Sequence, residues 1–167
     1  MTSKFVYKDY LHIYTNASKT AAAFFVPELN VESSARLWDG LSIFSAELIA
    51  IKMSLQWVLE FSSKYELVNN IAIFSDSLSS LTAIKTGKCL CRPNTVNEIY
   101  DLVDSIFVGV KLIWIPSHVG IPGNETADRL AQSAVSNNAP YIDTCFELNE
   151  FYRNVNGKLC GNLVVYW

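Results

Sequence analysis

Two short stretches are apolar at consecutive positions rather than at alternate ones: residues 71–74 within "NIAIFSD" and 112–115 within "VKLIWIPSH". Runs of four to eight apolar residues bounded by polar ones suit strands covered on both faces. Such strands require helices above and below the sheet. The segments between and around them supply that cover. In "IFSAELIAIKMSLQWVLEFSSKY", Phe44, Leu48, Ile51, Leu55 and Val58 recur at spacings of four and three, the period of an amphipathic helix. "SLSSLTAIKTG" reads as a helix with a serine cap and Gly87 at its end. "TVNEIYDLVDSIF" aligns Val96, Ile99, Val103 and Ile106 on one stripe, and "NETADRLAQSAV" reads as a last helix capped by Asn124.

The region before these helices has a different period. "DYLHIYT" alternates loosely and is rich in strand formers; "TAAAFFVPEL" and "ESSARLWDG" read as two more strands with short turns between them. The expected order is βββ-α-β-α-α-β-α, an α/β sandwich. An antiparallel meander of three strands is extended by parallel strands through right-handed crossovers. The domain is expected over 1–137. Residues 138–167 read as a tail packed on it, with a short helix and a terminal strand at "LVVYW".

With 167 residues, half of them apolar and 17% charged, the chain suits one domain with a sizeable core. No apolar run reaches the ~18 residues of a membrane span, and "MTSKFVYKDY" has no signal-peptide core. An intracellular setting, nucleus or cytoplasm, with no membrane partner is the expectation. The net charge of −3 argues against indiscriminate nucleic-acid binding. The balance is locally reversed in "KTGKCLCR", where Lys85, Lys88 and Arg92 stand without an acid. They read either as a solvated helix end or as a phosphate-contact patch. Cys89, Cys91, Cys145 and Cys160 match no zinc spacing and read as free thiols.

Three acids stand where the folding pattern did not ask for them. Glu47 lies on the apolar face of its helix, three residues after Phe44 and four before Ile51. A charge there is costly unless paired; an edge position near the helix N-terminus is the alternative. Asp76 ends a buried strand, where ligands of open α/β sheets gather, or else it caps the next helix. Asp128, on the last helix, is a surface acid or a third member of the group. The expected topology brings Glu47 and Asp76 toward Asn16, at the end of the first strand. An oxygen-rich cluster of that kind suits magnesium or manganese. A pair of such ions about 4 Å apart serves phosphodiester cleavage. His118, in the loop before the last helix, is a candidate proton carrier or a plain loop histidine.

"YTNASK", "FSAELIAIKMSLQWV", "IFSDSLSSLTAI" and "WIPSHVGIPGNETADRLAQSA", in that order and spacing, resemble the ribonuclease H family. The resemblance is greatest to the ribonuclease H domains of non-LTR (LINE-type) retrotransposons, over about residues 8 to 137. It implies a ribonuclease H-like fold with a five-stranded mixed sheet flanked by helices. It implies Mg²⁺-dependent cleavage (two ions, with Mn²⁺ as a substitute) of the RNA strand in RNA/DNA hybrids, leaving 5′-phosphate ends. It also implies a reverse transcriptase domain in the same polyprotein. The family's acidic quartet falls on Asn16, Glu47, Asp76 and Asp128, as catalytic and metal-binding positions, with His118 as the auxiliary histidine. Hybrid contacts are expected from Ser18, Ser77, Lys85, Lys88, Arg92 and Asn124, with turn and cap roles as the alternatives for Ser18, Ser77 and Asn124.

The family has Asp where this chain has Asn16. The amide keeps the shape and loses the charge, so an inactive or weak enzyme is expected. Either a natural decayed copy or a deliberate Asp→Asn change fits, and the intact remainder favours the second. A basic helix and loop that some members insert is replaced here by the short link "TGKCLCRPN". The competing readings are a non-catalytic hybrid-binding or structural module, and a resolvase- or transposase-like relative. "SHVGIPGNETAD" speaks against the last.

Overall fold

The computed structural model describes residues 9–64, 70–144 and 163–166. Six strands form one mixed sheet in the order β3-β2-β1-β4-β5-β6. They are β1 (Tyr10–Ser18), β2 (Ala21–Val26), β3 (Val31–Arg36), β4 (Asn70–Ser75), β5 (Val110–Trp114) and β6 (Leu163–Tyr166). The first three pair antiparallel; β4, β5 and β6 follow in parallel register from β1. The expected five-stranded sheet therefore gains a sixth strand. It comes from the apolar chain end, which pairs Leu163 with Val110 and closes the β5 edge. The other helix expected of the tail lies largely outside the described residues.

Among the described residues four helices cover the sheet: α1 (Ile43–Lys64), α2 (Leu78–Thr86), α3 (Pro93–Ser105) and α4 (Pro122–Ser133). α1 is the central one. Leu48, Ile51, Leu55 and Val58 are fully buried and share one core with Leu11 and Ile13 of β1 and Ile71 and Ile73 of β4. α4 lies on the opposite face over β1 and β2. Small residues let it approach: Leu130 and Ala131 pack on Ala23, and Ala134 on Ala21. The alternation of β2 thus sends Ala22 and Phe24 toward α1 and Ala21 and Ala23 toward α4.

Two termini differ from expectation. β2 stops at Val26 because Pro27 opens a single 3-10 turn, Pro27–Leu29, closed by Asn30 in a left-handed conformation. α4 begins at Pro122, with Ile121 before it, so Asn124 is inside the helix and does not cap it. After α4 the chain returns to β3. Arg36 N–H donates to the Pro140 carbonyl at 2.8 Å, and Ile142 N–H to the Arg36 carbonyl at 2.9 Å. The edge strand of the meander is thereby covered by residues beyond 137.

Candidate active site

β1 and β4 are parallel neighbours, and Thr15 pairs with Ser75. Asn16 and Asp76 are the next residues along each strand, so the register sets them side by side at the carboxyl edge of the sheet. α1 starts on one face of that edge and α4 on the other. Ser42 anchors the start of α1 by accepting the Ser45 N–H at 3.1 Å, and Glu47 follows in the second turn. Asn124 and Asp128 are four residues apart on α4 and share a face.

Asn16 is 4% exposed. Its Nδ2 donates to Asp76 Oδ2 at 3.3 Å and to Asn124 Oδ1 at 3.4 Å. Asn124, 2% exposed, donates from its own Nδ2 to Asp76 Oδ2 at 3.2 Å. The Asp76 main-chain carbonyl accepts the Trp114 indole N–H at 3.3 Å. Glu47 is 4% exposed and reaches the same edge from α1, where its Oε1 accepts the Ala17 N–H at 3.0 Å. Its Oε2 is buried without a hydrogen-bond partner. Asp128 is half-buried and accepts a bond from Gln132 at 2.7 Å.

The electrostatics follow from this crowding. Burial pushes the Glu47 carboxyl from its ordinary 4.5 up to about 8, the Asp76 and Asp128 charges push the same way, and the Ala17 N–H pulls against them. Position near the N-terminus of α1 would favour the ionised form; desolvation wins because the group is enclosed. A buried carboxylate oxygen without a partner, facing two more acids, fits a hard divalent cation of the magnesium class. Position 16 offers an amide whose NH₂ is turned to Asp76. Among the described residues no three His, Cys, Asp or Glu side chains enclose a common point. Asn16 and Asn124 bond Asp76 directly, while Glu47 is linked to Asp76 and Asp128 by charge.

The remaining candidates divide. His118 is exposed, in the loop between β5 and α4, and holds a left-handed backbone with φ of 54°. Gly120, two residues on, has φ of 77°. A non-glycine residue in that region marks an unusual turn, of the kind found beside functional sites. Ser18 bonds the Ala131 carbonyl and the Thr20 N–H, so it ties the β1–β2 turn to α4. Ser77 bonds Ser80 at 2.7 Å, and Ser80 in turn reaches the Phe44 carbonyl. Lys85 and Lys88 are exposed, while Arg92 is 6% exposed. Arg92 lines a cavity of about 300 Å³ between α1 and α3, with Lys52, Thr95 and Asp143. Two of the three patch cations are thus on the surface and the third is structural. Asn124, expected at the hybrid surface, is enclosed among the site's own side chains.

Trp114, Tyr14 and Gly123 were not singled out by sequence. Trp114 pairs with Ser75 and so comes next to Asp76. That adjacency depends on strand register, which no local pattern reveals. A groove of about 700 Å³ adjoins the site, lined by Phe44, Leu78, Thr82, Thr86, Lys88 and Leu90 among others.

A carboxylate cluster at the carboxyl edge of a mixed sheet, fed from both faces by helix starts, defines a class of hard-cation sites on α/β folds. The RNase H family model matches residues 3–136, and the chain belongs to that family. Among solved structures, RNase H1 from the halophilic archaeon Halobacterium salinarum NRC-1 is 16% identical with a TM-score of 0.56, covering 77% of this chain and 98% of that one. The foamy viral protease-reverse transcriptase in complex with RNA/DNA hybrid is 15% identical with a TM-score of 0.58. That match covers 82% of this chain and only 21% of the viral one, so this chain spans about a fifth of it. The same viral protein in complex with dsDNA is 16% identical, with a TM-score of 0.56 over 80% of this chain and 97% of that one. At such identities the structures share the fold. No curated protein matches the chain.

Proposed function

We propose that this chain is a metal-dependent endoribonuclease domain for the RNA strand of RNA/DNA hybrids, working inside a retrotransposon polyprotein beside a reverse transcriptase, and impaired by Asn16. The family supports the reaction class. The neighbour whose structure holds an RNA/DNA hybrid supports the substrate, and its being a reverse transcriptase supports the setting. The observation that carries the reading is the Glu47–Asp76–Asp128 cluster, with Glu47 Oε2 buried and unpartnered.

Glu47, Asp76 and Asp128 would hold two Mg²⁺ ions, with the carbonyl oxygen of Asn16 as a weak fourth donor. Bound there, such ions activate a water and neutralise charge on the scissile phosphate and leaving oxygen. His118, exposed in the loop before α4, is the candidate proton carrier. Lys85 and Lys88 are exposed cations that would meet backbone phosphates of the hybrid. Asn16 removes one negative charge and directs its NH₂ at Asp76, which competes with ion binding at that oxygen. A loss of several kcal/mol of transition-state stabilisation slows cleavage on the order of 10³-fold.

The test is Asn16→Asp, assayed on an RNA/DNA hybrid with Mg²⁺. Cleavage of the RNA strand to 5′-phosphate ends is expected, with the unaltered chain slow in Mg²⁺ and faster in Mn²⁺. If the restored protein binds hybrid and still fails to cut, the non-catalytic binding module is the correct reading.

A further inference from the structure

Asn124 spends its whole amide on the site. Its Nδ2 holds Asp76 Oδ2 at 3.2 Å, and its Oδ1 receives Asn16 Nδ2 at 3.4 Å. Asn16 Nδ2 also reaches Asp76 Oδ2, at 3.3 Å, so three side chains from three elements close a triangle. A buried asparagine must satisfy its donors and acceptor, and in the first turn of a helix the usual partner is nearby backbone. Here the partners are the two strand-end residues.

A second contact explains how Asn124 comes to be there. Its neighbour Gly123 rests on Tyr14: a Cβ at Gly123 would lie 2.3 Å from the Tyr14 ring. The Tyr14 ring stacks on Phe74, with centroids 4.9 Å apart and planes 17° from parallel. Tyr14 and Phe74 are paired across β1 and β4, two residues before Asn16 and Asp76. The aromatic pair is a floor one strand repeat below the site. The missing side chain of Gly123 lets the first turn of α4 sit directly on that floor.

We propose that Asn124, seated by Gly123 on the Tyr14 ring, is a positioning residue that orients the Asp76 carboxylate and the side chain at position 16. The inference rests on the hydrolase reading above. It also says why the residue is an amide. An amide donates to the Asp76 carboxylate from its Nδ2 and adds no charge to the acids around it. Partners that orient metal-binding carboxylates typically contribute 10- to 100-fold in affinity or activity.

The experiment places Asn124→Ala, Asn124→Asp and Gly123→Ala in the Asn16→Asp chain. It records kcat and KM on hybrid, Mn²⁺ binding by calorimetry and the thermal midpoint. Asn124→Asp keeps the shape but sets a further carboxylate against Asp76, and the thermal midpoint guards against simple misfolding. Expected are kcat falls of about 10- to 100-fold for the Asn124 variants with KM within about twofold, and Mn²⁺ binding weakened about tenfold for Asn124→Ala. Gly123→Ala should reproduce the kcat loss, because α4 must lift off Tyr14. Unchanged kcat and Mn²⁺ affinity would overturn the proposal. So would a raised KM at constant kcat, which is the signature of a direct hybrid contact. If the Asn16→Asp chain itself does not cut hybrid, the functional reading fails and this inference with it. If that chain cuts and the Asn124 variants cut equally well, this inference fails alone.

Discussion

Glu47→Gln should make the metal-free protein more stable at alkaline pH and nearly neutral in effect at acid pH. Glu47 titrates at about 8 in the folded chain against an ordinary 4.5, chiefly because burial desolvates it, with Asp76 and Asp128 adding repulsion. In the unfolded chain it ionises near its ordinary value. Between those two pH values the folded state therefore holds a proton that the unfolded state has lost. Stability from this group is full below about 4.5 and falls as pH rises toward about 8, at up to about 1.4 kcal/mol per pH unit. Across the whole window the loss reaches about 5 kcal/mol, which is large against the 5–15 kcal/mol that typically holds a domain together.

Glutamine is the right perturbation because it resembles the protonated acid. It keeps an oxygen for the Ala17 N–H and carries no charge at any pH. Urea unfolding of both proteins in EDTA, at pH 5, 6, 7, 8 and 9, isolates the term, since the other titrating groups are common to both. The difference should be below about 1 kcal/mol at pH 5 and grow to several kcal/mol by pH 9. Parallel stability curves for the two proteins would refute the reasoning, because Glu47 would then be ionising in the fold as it does in water. Adding Mg²⁺ to the unaltered chain should flatten its curve, as a cation offsets the repulsion; the Gln variant should respond less.

Three further outcomes follow from the placement of charge. Lys85→Ala and Lys88→Ala, in exposed positions, should each weaken hybrid binding modestly and lower the salt slope of log K by about one, measured by titration at several KCl concentrations. Arg92→Ala should leave that slope unchanged and lower the thermal midpoint, since the side chain is 6% exposed beside α1 and α3. Asn16→Asp, without metal, should lower stability at pH 8 by 1 kcal/mol or more, because a buried carboxylate replaces the amide that donates to Asp76. Chemical denaturation in EDTA reads that difference, and Mg²⁺ should restore it.

The sequence made most of the architecture legible because the signals were local. The continuous apolar runs at 71–74 and 112–115 became β4 and β5, flanked by the helices whose stripes were visible. Glu47 announced itself by standing on an apolar stripe, and the structure buries it. What was hidden depends on tertiary register. Lys85, Lys88 and Arg92 look alike as a charge run, yet Arg92 folds inward because it immediately precedes α3, beside α1. Asn124 reads as a cap from its neighbours, but Pro122 starts the helix two residues earlier and turns the amide to the strand ends. β6 could not be placed from four apolar residues alone, since a strand that short is defined by its partner, Val110 and the residues after it.

On the proposed reading, an amide at position 16 has opposite consequences for folding and for chemistry. Burial raises the Glu47 carboxyl, and the Asp76 and Asp128 charges push it the same way. A fourth acid would add to that repulsion. An amide instead donates to Asp76 and to Asn124, so a site built for charge becomes a neutral hydrogen-bonded hub. Both bonds relax the metal-free fold, and the one to Asp76 occupies an oxygen that an ion would need. A chain with Asn at this place can therefore keep the family's fold, its remaining acids and its groove intact while losing rate. Intact structure around Asn16 is what the hydrogen bonding dictates, and it is compatible with a severe loss of turnover.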